Sequence, residues 1–266
     1  MNFVFQREFS NAMDREGEEL SVLCKELGIN FYPITIVPFE HTFVEADTIN
    51  NLEGYTVAYG SNVMEIVSNN CGWDPGIFKV AHDEKSVHAV FGSDYINHDM
   101  LICNTENYID RIKEAGLYET QYYFMKPNDY KYFPGTIVDK KMMPFVIESQ
   151  GRRHGTPDVY DLCISPVKYI KAEWRFFVVG GEIVDGSKYH AEEFRLDVQA
   201  GFKKEAGEFA EKMILKFDGS GTFVIDIAEM QDGNYKVVEI NGLNSSGFYK
   251  IDKKKLLVAL KNLSEI

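Results

Sequence analysis

The sequence predicts a two-lobed α+β protein, and three observations carry that expectation. Helix and strand patterns alternate over residues 1 to about 115. From Gln121 onward strand patterns dominate, joined by turns rather than by helices. Two dipeptides, Gly180-Gly181 and Asp232-Gly233, are strong signals for tight hairpin turns. The expected division is a small α/β lobe over 1–118 and a strand-rich core over 119–266.

The elements follow in order. Residues 3–5 are a short apolar run that reads as a first strand. Leu20, Leu23, Cys24 and Leu27 fall at helical spacing, which predicts a helix from Asp14 to Leu27 with Gly28 as its stop. Phe31 to Val37 reads as a strand in which Pro33 suits an edge or a strand start. Thr56 to Tyr59 is another strand pattern, and Val63 to Ser68 opens a helix. In the second half Gln121–Lys126, Pro144–Glu148, Tyr169–Val179, Glu182–His190, Thr222–Met230 and Tyr235–Asn241 read as strands. Phe202, Ala206, Phe209 and Met213 share one face of a helix over Phe202–Phe217, and a last helix covers Lys253–Leu263.

Composition narrows the function. The chain has 266 residues and is 45% hydrophobic and 26% charged, as a soluble globular protein is. Nothing approaches the run of about 20 apolar residues that a membrane-spanning helix needs. The first segment turns acidic at once and does not resemble a signal peptide, so a cytoplasmic protein is the expectation. Cys24, Cys71, Cys103 and Cys163 are far apart, with no paired spacing for zinc or redox work, and read as reduced and mostly buried. A net charge of −13 makes a poor general nucleic-acid binder, because a phosphate backbone must be neutralised by Lys and Arg. A single nucleotide needs only a few focused cations and a metal. The basic spots Lys140-Lys141 and Arg152-Arg153-His154 read as solvated loop charges, and the histidines show no metal-ligand spacing.

Strand register is more informative. If Asp232-Gly233 are the central turn residues, Gln231 pairs with Asn234, and Asp226 falls opposite Glu239. Asn241 then shares that face, while Ile225, Ile227, Val238 and Ile240 point to a core. Facing carboxylates repel, so either a divalent cation lies between them or they sit apart in water. With Gly180-Gly181 as the other turn, Glu173 falls opposite Lys188 and Arg175 opposite Gly186. Those charges make either a surface ion pair or a cationic wall for polyphosphate. In the segment 124–135, Lys126 ends an apolar strand and Lys131 follows a turn, positions from which a lysine can reach a phosphate or simply stay solvated.

Read in order, FMKPNDYKYFPG, CISPVKYIKAEWRFFVVGGEIVDGSKY and FVIDIAEMQDGNYKVVEINGLNSSGFY resemble the core of ATP-grasp proteins, closest to the small clade named for an arginine and two lysines. The resemblance covers about residues 120–250. It implies an ATP-grasp fold in which antiparallel sheets clamp ATP, preceded by a small α/β lobe. It implies phosphate contacts from Lys126 and Lys131, and a hinge at Ile164, Ser165, Pro166 and Val167 whose backbone meets adenine. Glu173 would hold the ribose, and Asp226, Glu239 and Asn241 would bind Mg2+. Asn244, Ser245, Ser246 and Gly247 resemble the loop where phosphates or the acceptor lie. Many members carry an arginine two residues before the metal-binding aspartate; here that position is Val224, so Arg175 or Lys188 must supply the charge at the transferred group. The implied activity is an ATP- and Mg-dependent ligase that activates a small-molecule or peptide carboxylate as an acyl phosphate and joins it to an amine. A phosphotransferase on the same fold and a nucleotide-binding protein without ligase activity are the alternatives.

Overall fold

The protein is described from a computed structural model over residues 1–7, 13–38, 40–80, 83–128, 133–154, 157–191, 195–218 and 221–266. By their internal contacts the residues form two compact units, each discontinuous in sequence. One holds Met1–Val80, Ala172–Ile227 and Glu239–Ile266; the other holds Ala81–Lys171 and Ala228–Val238.

The first unit begins with β1 (Asn2–Gln6), α1 (Met13–Leu27) and β2 (Asn30–Ile34). A ribbon of β3 (Ile36–Val37) and β4 (Thr42–Phe43) precedes α2 (Ala46–Ile49), β5 (Tyr55–Tyr59), α3 (Val63–Cys71) and β6 (Asp74–Gly76). The parallel sheet has the order β2-β1-β5-β6, with Pro33 on its edge strand. β1 is apolar on both faces because helices cover both. Alternation sends Phe3 and Phe5 to a cluster with Leu20 and Cys24 of α1, and Val4 to a second cluster with Met64 and Val67 of α3. Each such side chain, fully buried, contributes about 1.5–3 kcal/mol. The expected strand 31–37 is broken at Thr35, whose N–H donates to Glu45 Oε2 at 2.9 Å instead of to a ladder.

The second unit contains α4 (Glu84–Phe91), β7 (Leu101–Asn104), α5 (Tyr108–Glu114), β8 (Tyr122–Pro127), β9 (Thr136–Asp139), α6 (Met143–His154) and β10 (Asp161–Pro166). Its antiparallel sheet has the order β7-β10-β8-β9. Tyr123, Met125, Leu162 and Ile164 form the core face with Met143 and Ile147 of α6. Pro144–Glu148, expected as a strand, is the first part of that helix. A short apolar run does not distinguish strand from helix by itself, and Pro144 is tolerated in a first turn, where its missing N–H has no partner to lose.

The chain then runs through β11 (Ile170–Val179), β12 (Glu182–Ala191), β13 (Arg195–Ala200), α7 (Lys204–Phe217), β14 (Phe223–Met230), β15 (Tyr235–Asn241) and α8 (Lys253–Leu263). These strands form a sheet of order β13-β12-β11-β14-β15. Phe177, Val179 and Val224 bury one face with Leu243, Phe248 and the α8 residues Leu256, Leu257 and Leu260. The other face of β11 meets Phe202, whose ring packs edge-on against Phe176. Cys24, Cys103 and Cys163 are buried, and all four cysteines are free thiols. Among the described residues no helix is long and apolar enough to cross a membrane.

Candidate active site

Both hairpin turns form where the sequence places them, but their ladders differ from simple counting. Gly180 and Gly181 take φ of 59° and 83°, and Val179 pairs with Glu182 as expected. Two bulges then shift the register of β11 and β12, between Phe177 and Val178 and between Glu173 and Trp174. Arg175 therefore faces Ser187 rather than Gly186, and Glu173 faces His190 rather than Lys188. Lys188 pairs with Trp174, on the other face from Arg175, and its Nζ lies 2.8 Å from Asp197 Oδ2. The second bulge re-aims Tyr189 instead. Its hydroxyl donates to Glu173 Oε1 and lies 3.3 Å from Asp226 Oδ2.

The second turn closes a longer loop than expected. Gly233 N–H donates to Met230 O at 3.0 Å and Met230 N–H to Asn234 O at 2.8 Å, so Met230 and not Gln231 pairs with Asn234. Gly233, at φ 84°, supplies the left-handed residue such a loop needs. Asp226 and Glu239 still reach one guanidinium. Arg175 Nε donates to Asp226 Oδ1 at 2.9 Å and Nη2 to Oδ2 at 2.7 Å, with Glu239 Oε1 at 3.8 Å from Nη2. Asn241 Nδ2 donates to Glu239 Oε1 at 2.7 Å.

Asp226 is wholly buried, not turned to an open cleft as the hairpin alone suggests, while the Glu239 side chain is 36% exposed. Burial pushes the Asp226 carboxyl up to about 7; Arg175 pulls the other way, and Glu239 and Glu173 add to the rise. Burial alone would lower Arg175, but Asp226 outweighs it and lifts the guanidinium above its ordinary value. Tyr189 is raised well above the usual phenol range by burial, then by Asp226 and Glu173. Its ring stacks in parallel on Tyr249 at 4.8 Å, and the guanidinium carbon lies 5.3 Å and 5.1 Å from the two ring centres. Neither tyrosine is singled out by the sequence reading: Tyr189 depends on a bulge, and Tyr249 on a loop conformation with φ 49° that no motif announces. Glu173 Oε2 also lies 3.5 Å from His190 Nδ1.

Asp226, Glu239 and Asn241 offer hard oxygen donors whose chemistry fits a small divalent cation, and the two carboxylates that meet at Arg175 favour positive charge between them. Both Asp226 oxygens are already engaged by Arg175. Among the described residues no group of three His, Cys, Asp or Glu side chains is gathered as a metal site. The loop beyond β15 is tied inward. Asn244 is buried and hydrogen-bonded to backbone at both ends of its amide, Ser246 Oγ donates to Gly242 O, and Ser245 is exposed. Gly247 leaves open space where a Cβ would stand.

In the second unit, Lys126 on β8 pairs with Glu84 Oε1 at 2.6 Å and lies 3.4 Å from the Tyr95 hydroxyl, which donates to Glu84 Oε2. Neither Glu84 nor Tyr95 is marked by sequence pattern. Ile164 and Ser165 are buried on β10, Pro166 ends that strand and Val167 follows it; Ser165 Oγ bonds Asn97 Oδ1 at 3.0 Å. Lys131 and the side chains of Arg152, Arg153 and His154 lie outside the described residues.

Residues 70–260 match a family described as an ATP-grasp domain, family 3 of the clade named for an arginine and two lysines. No functionally curated protein matches the sequence. Solved structures share the fold at low identity. D-cycloserine synthetase DcsG is 13% identical over 100% of this chain and 99% of its own, with a TM-score of 0.64. D-alanine–D-alanine ligase from Bacillus anthracis is 14% identical over 99% and 96%, also at 0.64. The ATP-grasp ligase PsnB, solved with minimal precursor, Mg and ADP, is 13% identical over 99% and 98%, at 0.55. These likenesses establish an ATP-grasp fold.

Proposed function

Because the chain belongs to this ATP-grasp family, we propose that it is an ATP- and Mg-dependent ligase that activates a carboxylate as an acyl phosphate and joins it to an amine. The observation that carries the reading is the convergence of Asp226 and Glu239 on Arg175, with Asn241 bonded to Glu239. The ligases among the structural relatives, one solved with Mg and ADP, support it.

In this reading the γ-phosphoryl group passes from ATP to a carboxylate oxygen and ADP departs. The amine then attacks the acyl carbon, inorganic phosphate leaves and the amine gives up a proton. Catalysis is mostly positioning and charge stabilisation. Asp226, Glu239 and Asn241 would hold Mg2+, whose chemistry when bound is to neutralise charge on the phosphates. Arg175 is the catalytic cation for the transferred group. Lys126, Lys131 and the backbone of Ile164–Val167 serve the nucleotide, Glu173 its ribose, and Asn244–Gly247 line the acceptor side. Lys188, on the other face of the sheet, is left out. Residues 1–118 form the substrate-side domain and 119–266 the ATP-grasp core. The acceptors are small-molecule or peptide carboxylates and amines, and the protein works in the cytoplasm.

The test is incubation with ATP, Mg2+ and pooled carboxylates and amines, read by mass spectrometry with ADP and phosphate release. An amide that needs both substrates supports the ligase. A phosphorylated acceptor without an amide moves the protein to the phosphotransferases. Absence of Mg-dependent ATP binding removes the reading.

A further inference from the structure

The bond between Arg175 and Asp226 has a consequence for how the site loads. Asp226 is fully buried, and each of its oxygens accepts one N–H of a planar fork, at 2.9 Å and 2.7 Å. The same fork reaches toward Glu239 at 3.8 Å. A cation therefore already stands between the two carboxylates, and it is a side chain of the protein. A magnesium ion requires oxygen at about 2.0–2.1 Å in near-ideal octahedral geometry. The fork takes one lone pair of each Asp226 oxygen, and a magnesium ion on a remaining pair would stand beside the guanidinium, where two cations on one buried carboxylate repel.

The guanidinium also has a second partner. Tyr189 and Tyr249 stack in parallel beside it, each ring centre within 5.3 Å of Cζ. Aromatic faces hold a guanidinium without a carboxylate. Tyr249 is kept there by a backbone at φ 49°, a conformation that side chains adopt only when their surroundings hold them. Both rings already lie beside the guanidinium and remain there when the carboxylate is given up.

We propose that Arg175 is the protein's own counter-cation for Asp226 and Glu239, and that divalent-metal loading and the Arg175–Asp226 fork exclude one another, with the Tyr189–Tyr249 pair receiving the displaced guanidinium. The inference rests on the metal site of the proposed function and adds its regulation. Metal entry frees the arginine, so the cation that serves the transferred group becomes available only once the metal is in place.

Mn2+ alone, titrated into the nucleotide-free protein by calorimetry, tests the exchange. A lysine cannot fork a carboxylate, so Arg175→Lys should bind Mn2+ about tenfold more tightly than the wild type, the size of an ordinary coupling between sites. Tyr249→Leu, which removes one ring of the pair, should weaken Mn2+ binding. Nitrogen NMR with Mg2+ reads the fork directly in the unaltered protein. The slowly exchanging Nε–H signal of Arg175 should vanish or shift in step with metal occupancy. Equal Mn2+ affinity in wild type and Arg175→Lys, or an Nε–H signal unmoved at full occupancy, overturns the exchange and leaves the metal site standing. No metal binding in any variant at any concentration overturns the metal site itself, and the exchange with it.

Discussion

Asn244 Oδ1 accepts the backbone N–H of Phe78 at 2.8 Å, while Asn244 Nδ2 donates to the carbonyls of Ala58 and Gly76. One buried amide thus fastens the loop beyond β15 to β5 and β6 of the same compact unit. Removing it leaves a backbone donor and carbonyls without their partner. Asn244→Ala should cost roughly 2–4 kcal/mol, which urea titration reads directly. If Asn244 also touches a substrate, Asn244→Asp, which keeps the acceptor for Phe78 but loses the donor, will raise KM beyond what lost stability explains; an unchanged KM would leave it a purely structural residue.

Asp226 should make the nucleotide-free protein less stable as pH rises. In an unfolded chain an aspartate loses its proton near pH 4, by its ordinary value of about 3.9. In the folded protein burial holds that proton up to about 7. Between the two, the folded form carries the extra proton, so stability falls as pH climbs through this window and levels off above it. Asp226→Asn has no proton to hold. Thermal melts in EDTA at several pH values should show the wild type losing stability relative to the variant from about pH 4 to about 7. Parallel curves would mean that Arg175 keeps Asp226 ionised throughout.

The contrast between the two hairpins explains what sequence could and could not reveal. Gly180-Gly181 is legible because a turn with positive φ at both positions, here 59° and 83°, nearly demands glycine. The bulges that follow have no such mark: an extra residue in a ladder looks like any other, so counting put Lys188 where Tyr189 acts. At Asp232-Gly233 the place of the turn is legible but not its length, because one left-handed glycine suits either loop. Arg175 and Asp226 are legible as charged residues flanked by apolar ones in their strands, whereas their mutual bond depends on the side-by-side order of β11 and β14, which no local pattern encodes. In α6 the run after Met143 is apolar enough to read as a strand, and only packing of Met143 and Ile147 on one core decides for a helix.

Gly186 is expected to resist replacement. A Cβ at this position would stand 2.8 Å from Phe176 Cδ1, 2.9 Å from Phe202 Cδ1 and 3.1 Å from Arg175 O. Two packed rings and a backbone oxygen cannot all give way. Gly186→Ala should destabilise by about 1–3 kcal/mol. A melting temperature equal to the wild type would show that the Phe176–Phe202 edge contact is loose.

Lys126 and Glu84 make opposite predictions for ATP affinity. The Lys126 ammonium is held 2.6 Å from Glu84 Oε1 with only 16% of its side chain exposed, and Glu84 is fixed in turn by the Tyr95 hydroxyl. If Lys126 is a phosphate contact, Glu84 competes with the phosphate for the same charge. Lys126→Met should then weaken Mg-ATP binding about tenfold or more, by loss of a charge-assisted contact. Glu84→Gln keeps the size and an acceptor for Tyr95 but removes the competing charge, so binding should tighten several-fold. Calorimetric titration of both variants decides: tightening in Glu84→Gln with loss in Lys126→Met fits competition, whereas loss in both means that Glu84 is needed to aim the lysine.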